Sequence, residues 1–153
     1  MPHLHEKIDF CVEVFIVHKN KVLLRKHDKY KIWLSVGGHI ELDEDPTAAA
    51  VREVKEEVGL DVKLVGELRQ FKDSSKAILN PRFTNRHHVK EDHEHIAFVY
   101  FALAESDEVA QGTTEVSEAT HWFTREDLEN PQYELRENIK FYAEEALNAL
   151  AEQ

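Results

Sequence analysis

Residues 38–60 read GHIELDEDPTAAAVREVKEEVGL, and this stretch determines the prediction for the whole chain. Three of its acids, Glu53, Glu56 and Glu57, are spaced i, i+3 and i+4, so they share one face of an α-helix. Carboxylates gathered in this way repel one another, and a bound cation relieves that repulsion. Because the ligand atoms are all oxygens, we expect Mg²⁺ or Mn²⁺ rather than zinc.

The residues at the two ends of the stretch predict where its helix begins and ends. Asp45 is a good N-cap, Pro46 fits the first helical position, and Gly59 suits the left-handed residue that ends a helix. The helix should therefore run from about Pro46 to Val58. Four apolar side chains would face a core, roughly opposite the three glutamates. They are Ala50, Val51, Val54 and Val58. An ordinary solvated helix is the alternative.

The same stretch resembles the Nudix box, G-x5-E-x7-R-E-U-x-E-E-x-G-U, in which U is a bulky aliphatic residue. Every fixed position of the box is filled. The matching residues are Gly38, Glu44, Arg52, Glu53, Val54, Glu56, Glu57, Gly59 and Leu60. The resemblance to Nudix hydrolases covers the whole chain, because the flanking elements follow in the order usual for that family. It implies a single domain over residues 1–153.

The resemblance implies hydrolysis of a nucleoside diphosphate linked to another group, with water attacking one phosphorus of the pyrophosphate. Mg²⁺, for which Mn²⁺ can substitute, would neutralise phosphate oxygens and lower the pKa of a bound water. Glu53, Glu56 and Glu57 would bind this metal, with the backbone carbonyl of Gly37 as another ligand. Either Glu53 or Glu57 would also orient or deprotonate the water. Arg52 would orient a glutamate by ion pairing.

Many relatives take a further carboxylate from a loop outside the box. The segment EVSEATHWF at residues 115–123 resembles that region. It makes Glu115 the first candidate for an additional metal ligand and Glu118 the second. The alternative is that both are surface acids. Glu44, inside the box, is expected to be a supporting residue.

Residues 69–90 differ in charge from the rest of the chain. The chain has a net charge of −11, whereas this segment holds six basic residues and one acid. The overall negative charge argues against non-specific nucleic-acid binding. The candidate substrate contacts are Arg82, Phe83, Arg86 and His87, with Phe71 as another ring that could stack on a base. A solvated hairpin loop is the alternative interpretation.

Four histidines of the next segment could indicate zinc. His93 and His95 would point to the same side of a strand, and His87 and His88 precede them. No cysteine is nearby, and a magnesium site already accounts for the acids of the box, so we prefer substrate contact or plain loop positions. The one cysteine, Cys11, lies in an apolar run and is expected to be a buried, inert thiol.

The remaining pattern indicates an α/β fold. Apolar alternation predicts strands at 10–17, 21–25, 61–72, 95–104 and 119–123, a long loop at 74–94, and a final helix at about 132–151. Strands, a helix, more strands and a terminal helix imply a mixed sheet between helices. This arrangement resembles the α/β/α sandwich of the Nudix fold.

The location and partners of the chain can only be expected in outline. No apolar run approaches the ~20 residues of a membrane span, and the first residues lack the apolar stretch of a signal peptide. We therefore expect a cytoplasmic protein with a small-molecule nucleotide substrate, no membrane association and no stable nucleic-acid partner. A homodimer is also compatible with the sequence.

The choice of substrate follows from what the chain lacks. Relatives that cleave ADP-ribose often carry a proline where this chain has Ser75. The preferred interpretation is therefore a MutT-like enzyme that converts an intact or oxidised nucleoside triphosphate to the monophosphate and pyrophosphate. ADP-ribose, a nucleotide sugar and a dinucleoside polyphosphate are alternatives. A non-catalytic nucleotide sensor would usually lose glutamates of the box, and an isomerase would need its own catalytic cysteine and acid.

Overall fold

The computed structural model describes residues 7–110 and 117–151. Along the chain the elements are β1 (Ile8–His18), β2 (Lys21–His27), β3 (Trp33–Leu34), β4 (Val36–His39), α1 (Pro46–Val58), β5 (Val62–Leu64), β6 (Phe83–Lys90), β7 (His93–Ala104), β8 (Ser117–Phe123), α2 (Arg125–Glu129), a 3₁₀ turn (Pro131–Tyr133) and α3 (Glu137–Ala149). Within the described residues, the strands form one mixed sheet.

The two longest strands form the centre of the sheet. β1 and β7 run parallel and stay in register over residues 8–17 and 94–103. On its other edge, β1 pairs with β4 through residues 11–14 and with β2 through residues 16–18. β7 likewise pairs with β6 near its start and with β5 near its end. One end of the sheet therefore has the strand order β4, β1, β7 and β6.

Alternation along β1 separates the core into two layers. Val12, Val14 and Ile16 are buried in the cluster that includes α1. Phe15 and Val17 point to the other face and pack in the cluster that includes α3. Each fully buried aliphatic side chain of this kind contributes about 1.5–3 kcal/mol. The sheet lies between helices, which confirms the predicted α/β/α arrangement.

Helix α1 has the predicted ends but a different buried face. The Asp45 carboxylate accepts a hydrogen bond from the Ala48 amide at 2.9 Å, and Gly59 ends the helix at φ 69°. Val51, which was expected to face the core, is 45% exposed. Glu53 and Glu57 are buried instead. Two acids thus belong to the packed face of the helix, because that face lies against β4.

Two segments differ from the sequence prediction. The strand expected over residues 61–72 is limited to Val62–Leu64, and Gly66 soon follows with φ 158°. Part of the loop expected over residues 74–94 is strand β6, whose residues alternate between half-buried and exposed positions. Its inward side chains include Asn85 and His87, so the strand lacks the apolar alternation by which strands are recognised.

The carboxyl-terminal part of the fold is helical. The predicted helix at about 132–151 is shorter, because the 3₁₀ turn precedes it and α3 begins at Glu137. Ile139, Ala143 and Leu147 are buried at helical spacing on the face toward the sheet. Among the residues described, no helix is long and apolar enough to cross a membrane.

The single cysteine is buried in the central strand. Cys11 is 6% exposed. Burial, reinforced by the negative charges of Glu13 and Asp9, raises the pKa of the Cys11 thiol to about 12. The thiolate, which is the reactive form, is therefore disfavoured, as expected for an inert thiol.

The glycine pair of β4 provides a test of how closely β4 packs. A methyl group at Gly37 would lie 2.0 Å from the Val12 carbonyl oxygen, whereas one at Gly38 would lie 2.5 Å from the end of the Glu53 side chain. We expect Gly37→Ala to lower the free energy of unfolding by about 2–3 kcal/mol, because backbone must move. Gly38→Ala should cost less, since a side chain can yield. Urea denaturation measures both, and equal losses would contradict this packing.

Candidate active site

Two carboxylates of the box are buried one helical turn apart. Glu53 is 2% exposed and Glu57 is 3% exposed, while the side chain of Glu56 is 44% exposed. An ionised carboxylate is costly to bury unless cations or hydrogen-bond donors compensate it. The partners of these glutamates therefore decide what the site can do.

The glycines of β4 bring the strand backbone next to these acids. Gly38 faces Glu53 so closely that any side chain at this position would meet the carboxylate. The Gly37 amide donates a hydrogen bond to Glu57 Oε2 at 3.3 Å. Gly37 thus lies beside Glu57, where its carbonyl was predicted to bind metal. Metal ligation by the Gly37 carbonyl stays a prediction.

Arg52 connects the acids of the box. Its guanidinium donates two hydrogen bonds to Glu44, from Nη2 at 2.5 Å and from Nε at 3.0 Å. Nη1 donates to Glu53 Oε1 at 2.9 Å and to Glu56 Oε2 at 3.1 Å. Nη2 also donates to the His39 carbonyl at 3.0 Å. Arg52 therefore links the two glutamates to the backbone of β4, and its orienting role stays a prediction.

These contacts also shift the pKa values of Glu44 and Arg52. Hydrogen bonding to Arg52 lowers the pKa of Glu44 below its usual range, and the same bond to Glu44 raises the pKa of Arg52. Both groups are charged at neutral pH. Glu44 thus contacts the arginine that bonds Glu53 and Glu56, and its supporting role in the site stays a prediction.

A second arginine, Arg25, was missed by sequence reasoning. It is 6% exposed near the end of β2, and its Nε forms an ion pair with Glu57 Oε2 at 2.9 Å. The sequence contains one signal for it, a basic residue at the end of the apolar run KVLL. Each buried glutamate therefore has its own arginine, Arg52 for Glu53 and Arg25 for Glu57.

The donor set of this face is chemically suited to a divalent cation. Glu53, Glu56 and Glu57 offer only oxygen atoms, the ligands that Mg²⁺ and Mn²⁺ prefer. In the described part of the chain, their oxygens do not form a group of three within 4.8 Å. Arg52 Nη1 lies between Glu53 and Glu56 and balances their charge. A metal bound there would take over part of that role.

The further carboxylate predicted outside the box cannot be placed. Glu115 lies outside the described residues. Glu118 is in strand β8, which pairs with β2, but the position of its side chain is not described. Both remain candidates from the sequence alone.

Three of the four predicted substrate contacts lie on β6 and not in a loop, and Arg82 directly precedes that strand. The Arg82 guanidinium lies 5.2 Å from the Phe101 ring centre. Arg86 forms a two-bond ion pair with Glu94 at 2.7 and 2.6 Å. Both arginines are exposed and can reach a ligand only by leaving or extending these contacts. Within the described residues, neither arginine forms a hydrogen bond or ion pair with the glutamates of α1.

The other two predicted contacts on β6 have packed surroundings. The ring of Phe83 packs among Phe101, Phe141 and Tyr142, with ring centres 5.3–6.2 Å away. This is the position of a packing residue and not of an exposed stacking surface. His87 is half-buried, and burial lowers the pKa of its imidazole.

An exposed aromatic pair lies on the sheet face that carries α1. Phe10, 41% exposed, stacks on Phe98 with ring centres 6.3 Å apart. It points to the same side as Val12, two residues on, and its carbonyl accepts a hydrogen bond from the Ile40 amide at 2.9 Å. From the sequence, Phe10 was predicted only to lie in a strand, and its exposed ring was not anticipated. Phe71, the ring named from the sequence, is 47% exposed, with Arg69 over it.

A protein-family comparison covers most of the chain. The model described as the NUDIX domain matches residues 10–144. That range includes α1, the glycine pair, both arginines and the whole sheet except the first two residues of β1.

Comparison with solved structures agrees. A hydrolase of the NUDIX family from Clostridium perfringens is 39% identical, with 95% of this chain and 99% of that chain covered and a TM-score of 0.84. A MutT NUDIX hydrolase from Burkholderia pseudomallei is 24% identical, with 91% and 98% covered and a TM-score of 0.67. An ADP-ribose pyrophosphatase from Streptococcus suis is 20% identical, with 95% and 93% covered and a TM-score of 0.58. The last two show the fold alone. The complete box, its buried glutamates and these matches together establish that the chain belongs to the Nudix hydrolase family, whose members are pyrophosphohydrolases acting on nucleoside diphosphate derivatives.

Proposed function

We propose that this protein is an Mg²⁺-dependent pyrophosphohydrolase that cleaves a nucleoside triphosphate, intact or oxidised, to the monophosphate and pyrophosphate. The observation that carries the proposal is the burial of Glu53 and Glu57 against the glycines of β4, with an arginine for each. A solvated helix would not bury two acids or fix them in this way. The metal supplies charge neutralisation at the phosphates and a water of lowered pKa.

The side chains of the site have distinct roles in this proposal. Glu53, Glu56 and Glu57 bind the metal, with the Gly37 carbonyl and Glu115 as further ligands. Glu57 is the preferred residue to accept a proton from the attacking water, because Arg25 and the Gly37 amide hold its Oε2 in place. Arg52 is a positioning residue, since it holds Glu53 and Glu56 against β4.

The site also suggests where a nucleotide lies. The Phe10–Phe98 pair is on the face that carries α1 and has an exposed ring for base stacking. Arg82, Arg86 and His87 are proposed to contact the substrate further along β6, with Arg86 exchanging Glu94 for a phosphate oxygen. We assign Phe83 to the core because of its packing.

A product assay tests the reaction. The panel contains nucleoside triphosphates and their oxidised forms, ADP-ribose, nucleotide sugars and dinucleoside polyphosphates, each with Mg²⁺ and then with Mn²⁺. We expect pyrophosphate from a triphosphate. Glu57→Gln should reduce kcat by about 10²–10⁴, because it removes a metal ligand and the proton acceptor. Glu137→Gln, on the exposed side of α3, is the matched control and should leave kcat unchanged.

Each other outcome of the panel has a defined meaning. Two monophosphates from a linked substrate would replace the triphosphate assignment with that of a diphosphatase. Nucleotide binding without any cleavage would contradict the enzyme and favour a sensor. Full activity in folded Glu57→Gln would contradict the proposed site.

Arg52 can be tested as a positioning residue with a conservative change. Lysine keeps the charge but cannot bond Glu44, Glu53, Glu56 and the His39 carbonyl together. Arg52→Lys should lower kcat and weaken Mn²⁺ binding by about 10–100-fold, with Mn²⁺ affinity measured by electron paramagnetic resonance. Arg69→Lys is the control. Loss of stability with unchanged Mn²⁺ affinity would show that Arg52 acts only in folding.

We expect removal of the exposed rings of Phe10 and Phe71 to have different effects on KM. Removing the Phe10 ring should raise KM about tenfold, since stacking of one base on an aromatic ring is worth roughly 1–3 kcal/mol. Phe10→Tyr keeps the ring and should keep KM, and kcat should change little in either variant. Phe71→Ala is the matched comparison. If Phe71→Ala raises KM and Phe10→Ala does not, the base lies against the segment after β5.

A further inference from the structure

A second group of ligand-type side chains lies at the end of the sheet where β1 and β7 begin. Asp9, His93 and His95 place one oxygen and two nitrogens within 4.8 Å of one another. Asp9 is fully buried, His93 is 3% exposed and His95 is half-buried. The proposed magnesium site uses none of these residues.

Strand register accounts for this convergence. Asp9 of β1 is paired with His95 of β7, and His93 is two residues earlier on the same face. On the other edge of β1, His39 of β4 is paired with Cys11, which shares the face of Asp9. Two strands therefore bring Asp9, His93 and His95 together, and a third strand places His39 beside Asp9 and His95.

Three distances among these side chains are close to those expected in a metal centre. His93 Nε2 lies 3.0 Å from Asp9 Oδ2, and His39 Nε2 lies 3.6 Å from the same oxygen. His39 Nε2 and His95 Nε2 are 3.2 Å apart. A tetrahedral zinc ion with bonds of about 2.0–2.1 Å holds its ligand atoms roughly 3.3 Å apart. The three distances bracket that value.

We propose that Asp9, His93 and His95 bind one Zn²⁺, and that the neighbouring His39 imidazole turns to become the fourth ligand. Imidazole nitrogens favour zinc over magnesium, and a buried carboxylate is stabilised by a cation.

The sequence favoured substrate contact or loop positions for these histidines because no cysteine is nearby. The strand pairing removes that reason. No cysteine lies close to them in sequence, but the acid that completes the set, Asp9, comes from the parallel strand. The histidines also lie on strands and not in a loop. Of the four considered from the sequence, His93 and His95 enter the site. His88 is exposed.

The zinc site is separate from the glutamate face. Gly38 is directed toward Glu53 on α1, and the next residue of the strand, His39, points to the opposite side of the sheet. Bound zinc ties β4, which carries Gly37 and Gly38, to β1 and β7. In this proposal the ion has a structural role, because it holds the strand that carries Gly37 and Gly38 from the face of the sheet opposite α1.

Calorimetry on the metal-free full chain tests the proposal. ZnCl₂ is titrated into EDTA-treated protein at pH 7.5 with millimolar Mg²⁺ present to occupy the glutamate face. We expect one Zn²⁺ per chain and a melting temperature raised by roughly 5–10 °C at about a hundred times the dissociation constant. His93→Gln/His95→Gln should weaken zinc binding at least about a hundredfold. His88→Gln, an exposed histidine of β6, is the matched control.

Several results would overturn the proposal. One is a dissociation constant for zinc weaker than micromolar in the wild-type protein. Another is a folded His93→Gln/His95→Gln variant that binds zinc as tightly as the wild-type protein. If that variant does not fold, zinc X-ray absorption on the wild-type protein decides. Two or more imidazole ligands in the spectrum support the site, and a shell of oxygen alone contradicts it. Neither readout depends on nucleotide hydrolysis, so failure here leaves the proposed function untouched.

Discussion

The structure depends on packing a helix that carries acids against a strand whose two central residues are glycines. Glu53 and Glu57 are almost fully buried, which is possible because Gly37 and Gly38 let the backbone of β4 approach them. The charges are then compensated by arginines from two different elements. This arrangement fixes the carboxylates before any ligand arrives, and fixed charges of that kind are what phosphoryl chemistry requires of a protein.

The parallel pair β1 and β7 determines what lies around that site. At the end where β1 pairs with β2 and β7 pairs with β5, both faces of the two strands are apolar. One face packs on α1 and the other on α3. Toward the other end, the face opposite α1 becomes polar, with Asp9, Glu13 and His95 in place of apolar residues. Burial raises the pKa of Glu13, which accepts a hydrogen bond from Asn85. The same two strands thus carry the apolar core at one end and a cluster of polar, potentially metal-binding side chains at the other.

Local sequence predicts the parts of the site that local chemistry builds. The caps of α1 and its alignment of Glu53, Glu56 and Glu57 follow from residues within one helix, and so does the pairing of Arg52 with Glu56. The burial of two of those acids does not follow, because amphipathic spacing assigns charge to solvent. Spacing along a helix predicts which residues share a face. It does not predict which part of the protein packs against that face.

Features that depend on strand register could not be predicted. Arg25 reaches Glu57 across the fold, and Asp9 meets His95 only because β1 and β7 are parallel. Strand β6 was missed because its inward residues are polar. Glu115 lies outside the described residues and stays a prediction.

The central claim is that the glutamates of α1 hold the catalytic cation. A crystal structure with Mn²⁺ and a non-hydrolysable triphosphate, with data collected at the manganese edge, tests it most directly. We expect anomalous density bounded by Glu53, Glu56 and Glu57, close to the Gly37 carbonyl. Density confined to the histidine end of the sheet, or a nucleotide bound with no metal at these glutamates, would contradict the claim.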